Sequence, residues 1–105
     1  MKIGKLYKIE KYFWLLFPSK EIATAAAGGR AVCATTHALN AVADAAFWSE
    51  QLNCNVPYIS PNGIFCLLEQ AGKYLKVLTT TGELGWMVHP ENENWAKGTI
   101  EEVKQ

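Results

Sequence analysis

Cys33, His37 and Asn40 are the residues with the clearest potential for chemistry. Cys33 and His37 stand four apart, and Asn40 three further on. On a helix these spacings put side chains on one face as neighbours. A thiol, an imidazole and an amide are the parts of a Cys-His-Asn nucleophilic site. One helix rarely supplies nucleophile-base-orienter geometry, however, and a small Cys is more often simply packed. We therefore expect no catalytic residue here and keep a thiol enzyme using Cys33 and His37 as an alternative. Metal ligation could draw on Cys33, Cys54, Cys66, His37 and His89. None forms a Cys-x-x-Cys or His-x₃-His pair, and Cys33 with His37 makes two ligands where structural zinc needs four. No metal and no cofactor is expected. Gly28-Gly29-Arg30 is explained by a helix break as readily as by anion binding.

The aromatic residues are more numerous. Tyr7, Tyr12, Phe13, Trp14, Phe17, Tyr58, Trp86 and Trp95 either make a core or supply a stacking or docking surface. We take Trp14, Tyr58, Trp86 and Trp95 as the candidate ligand- or partner-binding residues. Lys2, Lys5, Lys8 and Lys11 make the N-terminal end locally positive. That permits an alternative reading as a single-stranded nucleic-acid binder. Over the whole chain, ten Lys and Arg balance ten Asp and Glu. A formal charge of zero argues against duplex DNA or an anionic membrane as main partner, because both require a cationic excess.

The elements that must position these residues fall within one domain. A chain of 105 residues buries roughly 65% of its unfolded surface, so a core is possible without staples. Half the residues are apolar and 19% are charged, which excludes disorder by composition. The longest uninterrupted apolar run, Tyr12 to Phe17, is too short to span a bilayer. The Met1-Lys2-Ile3-Gly4-Lys5 start resembles no export signal. With an odd cysteine count, reduced thiols and a cytoplasmic location are the expectation.

Three zones follow. Residues 1–18 read as a first strand, with Ile3, Tyr7 and Ile9 on one side and Lys2 and Lys8 on the other, then the aromatic run ended by Pro18. Residues 19–55 are Ala-rich and read as helix, broken at Gly28-Gly29, where two glycines cost about 2 kcal/mol. We expect a short helix near 19–27, capped by Ser19, and a longer one near 31–53. In the longer one Val32, Leu39, Val42, Ala46 and Phe47 form an apolar stripe. Residues 56–105 read as a meander. Pro61-Asn62-Gly63 turns the chain, strands are expected at 64–69, 74–79 and 83–88, and a closing strand at 99–103.

The segments Gly63-Ile64-Phe65-Cys66-Leu67-Leu68-Glu69, Tyr74-Leu75-Lys76-Val77-Leu78 and Thr81-Gly82-Glu83-Leu84-Gly85-Trp86-Met87 resemble SH3-like small β-barrels of the bacterial and phage type. The likeness is closest in the hairpin running from Val77-Leu78 through Gly82 to Gly85-Trp86. The resemblance implies an α+β fold, an SH3-like small β-barrel with an Ala-rich helical insertion between its first and second strands. Leu75, Val77, Met87, Phe65 and Leu67 would point inward, and Trp86 outward, half-exposed or covered by the insertion. It also implies a non-catalytic binding module, such as a small phage or bacterial accessory protein. Its partner would be a protein or a second copy of the chain, brought together as a homodimer by the Ala-rich helix. Cell-wall peptide binding, known for some bacterial relatives of this barrel, is a further alternative.

Overall fold

The computed structural model describes residues 1–28, 34–90 and 93–104. The chain begins with a turn at Gly4, whose φ of +87° suits glycine. Strand β1 (Leu6–Ile9) follows. Its period-2 pattern buries Tyr7 and Ile9. Ile3, expected on that same inward side, is instead 63% exposed because the strand starts only after the turn. The aromatic run forms β2 (Phe13–Leu15). Ser19 then caps α1 (Lys20–Gly28), its Oγ accepting the Ile22 N–H at 3.1 Å.

A two-residue strand β3 (Ala34–Thr35) precedes α2 (Ala38–Leu52). The long helix is thus shorter than the expected 31–53, since the chain at 34–35 is spent on pairing with β2. Val32, Cys33 and the proposed break at Gly29 lie outside the described residues. Asn53 ends α2 in the left-handed conformation, with φ 52°. Strand β4 (Tyr58–Ile59) returns to pair with β2.

The meander appears much as its turn residues dictate. It comprises β5 (Ile64–Ala71), β6 (Tyr74–Thr79) and β7 (Leu84–Val88). Gly72 supplies the positive φ of the two-residue β5–β6 loop. Leu68 is an extra residue in β5, a bulge between the Leu67 and Glu69 pairings. The strand runs to Ala71, beyond the expected end at 69, because the turn is confined to Gly72 and Lys73 and Ala71 pairs with Tyr74. A short 3₁₀ turn (Asn94–Ala96) leads to β8 (Ile100–Glu102).

The architecture is α+β, with two helices inserted between β1 and β5. The main sheet is antiparallel, in the order β7-β6-β5-β1-β8, and a second sheet runs β3-β2-β4. The five-stranded sheet is not closed into a barrel, which corrects the expectation of a closed drum. β7 and β8 do not meet: the free edge of β7 is taken by Phe17, which exchanges both backbone hydrogen bonds with Trp86 at 2.8 Å. β8 remains an edge. It is only three residues long and carries exposed Glu101 and Glu102, the kind of short charged edge that resists pairing with another chain.

Two cores result. One holds Phe65, Leu67, Leu75, Val77 and Met87 from the main sheet, covered by Trp14, Leu16 and Ile59. The other packs Leu15, Phe17, Trp86 and Val88 against Ala23, Ala26 and Ala45 of the helices. The segment from Trp14 to Phe17 therefore lies between cores and is buried on both sides. A strand in that position needs a continuous apolar run rather than an alternating one. Gly85 makes the junction possible: a Cβ there would stand 2.8 Å from Leu16 Cβ. The inward residues expected from the meander are all buried, and Trp86, at 9% exposure, is covered by the helical insertion.

Candidate binding surface

The placement of α2 decides what the surface offers. Ala41, Ala45 and Leu52 lie within about 40° of one another around the helix. This face turns inward: Ala41 and Ala45 are buried, with Trp48 and Leu52 half-buried beside them. Trp48 sets its ring edge-on to Phe17, with centroids 5.7 Å apart. Small alanines at the contact let the helix axis approach the second sheet closely. After the helix, Ser49 Oγ accepts the Val56 N–H at 2.9 Å, which fixes the path back to β4.

The consequence is that the described part of the expected stripe, from Leu39 on, faces away from the protein. Leu39 is 84% exposed, Val42 52% and Phe47 54%, and Ala46 is exposed as well. The sequence lets this stripe either pack on the barrel or meet a second copy of the chain; the alanine face takes the place against the strands, so the first of these does not occur. Leu39, Val42, Ala43, Ala46 and Phe47 stand at i, i+3, i+4, i+7 and i+8, the spacing of a helix face that is normally covered.

Beside this face lies a cleft of about 710 Å³ between α2, the segment leading into β4, and the β6–β7 turn. Val42, Ala46, Val56, Ile59 and Ile64 supply apolar walls, and Thr80 and Glu83 form part of a polar lip. The lip is organised by Thr79: its Oγ1 accepts the Glu83 N–H at 2.9 Å and lies 2.9 Å from Thr81 Oγ1. Gly63 borders the cleft where the turn packs on Ile59, and a Cβ would come within 2.6 Å of Ile59 Cγ2.

The four aromatic candidates separate. Trp14 is fully buried, its Nε1–H donating to the Lys11 carbonyl at 2.9 Å. Trp86 lies beneath the helices. Tyr58 is half-buried, lines the cleft, and meets Phe13 edge-on at 5.9 Å. Trp95 is 44% exposed, stacks on Trp14 at 5.9 Å, and donates its Nε1–H to Glu93 at 2.7 Å. With Tyr12, Thr35 and Thr36 it borders a second recess of about 450 Å³, which shares no lining residue with the cleft. Tyr12 holds a φ of 71°, uncommon for an aromatic residue.

Of the residues read for other chemistry, Cys33 lies outside the described residues and His37 is exposed just before α2. Cys54 is exposed and Cys66 half-buried, both as free thiols. Among the described residues no three His, Cys, Asp or Glu side chains converge as a metal site. His89 is buried in a structural role. With the Thr99 hydroxyl donating to the Ala96 carbonyl, His89 Nε2–H donates to Thr99 Oγ1 at 3.1 Å. Its ring meets Trp14 edge-on at 5.2 Å. Along the basic N-terminal segment, Lys8 pairs with Glu10 at 3.3 Å, while Tyr7, Trp14 and Phe17 are buried. No described helix is long and apolar enough to cross a membrane. No protein-family model, curated protein or solved structure matches the chain.

Proposed function

We propose that the chain is a non-catalytic protein-binding module, an SH3-like set of short strands carrying a helical insertion that does the binding. The observation that carries this reading is the exposed apolar face of α2 beside the 710 Å³ cleft. Contiguous exposed apolar surface of this kind marks interaction sites. The chemistry of the cleft supports docking over catalysis. Its apolar walls are mostly aliphatic beside a lip of uncharged polar side chains, and among the described residues lining it Glu83 is the one carboxylate and there is no Cys, His, Lys or Arg. The SH3-like reading is supported by the β5–β6–β7 meander, by β1 laid against β5, and by Gly85 allowing a neighbouring chain to cross β7.

Selection of binders from a random peptide display library tests the proposal. The selected peptides are expected to be rich in apolar residues. Their binding should fall at least tenfold in Val42→Glu and in Phe47→Glu, and should not change in Leu84→Ser, a control at an exposed position of β7. Absence of enrichment, or binders indifferent to both α2 changes, would contradict it.

A further inference from the structure

We infer that the outer face of α2 is a self-docking surface, on which a second copy of the chain lays its own α2 antiparallel across a two-fold axis near Ala43. This rests on the reading of that face as the docking site and adds the identity of its occupant.

Along the outer face of α2 side-chain sizes run large, small, large. Leu39 and Phe47 stand four residues either side of Ala43. In an antiparallel pair centred there, Leu39 lies beside the partner's Phe47, and Phe47 beside the partner's Leu39. Ala43 meets its own copy, where small side chains let two helices approach. An isologous interface requires this kind of self-complementarity, because one patch must serve as both halves. Large ends and a small centre satisfy it.

Charge selects the orientation and narrows the occupant. Helix α2 carries Asp44 and Glu50 and no Lys or Arg. A helix lying on an anionic membrane needs cations on its polar side, which α2 lacks. A parallel pair would bring Glu50 against Glu50, since it follows Phe47 at the next turn of the same face. The antiparallel pair moves the two glutamates to opposite ends.

Area sets the strength. From their fractional exposures, Leu39, Val42 and Phe47 together offer on the order of 400 Å² of side-chain surface, about half of the ~800 Å² each partner of a standard interface contributes. The rest must come from exposed Ala43 and Ala46 and the rim of the neighbouring cleft. An interface of this size is reversible rather than obligate, so the dimer should dissociate on dilution.

Sedimentation equilibrium of the full chain between about 1 and 500 μM tests this, together with disulfide trapping in a background where Cys33, Cys54 and Cys66 are Ser. The expected result is a monomer–dimer equilibrium weakened at least tenfold by Val42→Glu and by Phe47→Glu, with circular dichroism unchanged. Ala43→Cys should form a covalent dimer under mild oxidation, whereas Gln51→Cys, exposed on another side of the helix, should not. A chain monomeric at 500 μM overturns the inference. So does a dimer untouched by both glutamate changes, or one trapped at Gln51→Cys but not at Ala43→Cys. If the chain stays monomeric while α2-dependent peptides bind it, only the identity of the occupant fails. If neither is seen, the docking face itself is wrong.

Discussion

Trp14 and Trp95 stack on each other, yet they carry opposite burdens. Trp14 has no exposed surface and joins β2 to the main-sheet core, whereas Trp95 keeps 44% of its surface in solvent. Removing a buried indole forfeits transfer energy and leaves a cavity. Trp14→Ala should therefore cost about 3–5 kcal/mol in chemical denaturation. Trp95→Ala loses its stacking on Trp14, its edge-on contact with Tyr12 and its hydrogen bond to Glu93, at a cost of roughly 1–2 kcal/mol. Equal losses would place the second indole in the core as well. The two residues look alike in the sequence. Residue type alone does not distinguish an aromatic that fills a core from one that rests on it, so the sequence offers Trp14 and Trp86 as binding candidates beside Tyr58 and Trp95.

At the scale of elements, what was legible follows from local chemistry. Strand β6 begins and ends where Gly72 and the Thr80-Thr81-Gly82 turn place it, and α1 starts at the Ser19 cap. The alternation Leu75–Val77 and Phe65–Leu67 named the inward side of the meander correctly. For helix α2 the sequence leaves open whether its large apolar stripe packs on the barrel or meets a second copy, because nothing local says which face turns inward. Where a helix lies close against a strand the inner face wants alanine, and Ala41 and Ala45 hold that place while Leu39, Val42 and Phe47 turn out. The same demand for close approach appears where β2 runs on toward β7. Gly85→Ala would push a methyl to 2.8 Å from Leu16 Cβ and 3.1 Å from the Phe17 carbonyl oxygen. Backbone on one side leaves little room to yield, so a loss of about 1–3 kcal/mol is expected from thermal or denaturant unfolding. Unchanged stability would mean that Leu16–Phe17 does not cross β7 at this point.

For the whole molecule, the expectation of a closed barrel failed at one joint. Five short strands were assigned, and a sheet of five forms, but the pairing that would close it is replaced by Phe17 on the edge of β7. Which strand takes a free edge depends on contacts distant in sequence, which no local pattern records. The outcome is a sheet with a helical insertion against one side and an apolar helix face directed at solvent. That orientation of α2 is the central claim, since both the binding role and the self-association depend on it. Cysteine scanning along the helix measures it directly. In a background with Cys33, Cys54 and Cys66 replaced by Ser, single substitutions Ala41→Cys, Val42→Cys, Ala45→Cys and Ala46→Cys are reacted with a maleimide at low micromolar protein. Positions 42 and 46 should label at rates close to an unfolded control, and positions 41 and 45 at least tenfold more slowly. Protection of 42 and 46 with free reaction at 41 and 45 would mean the helix presents the opposite face, and the account would be wrong.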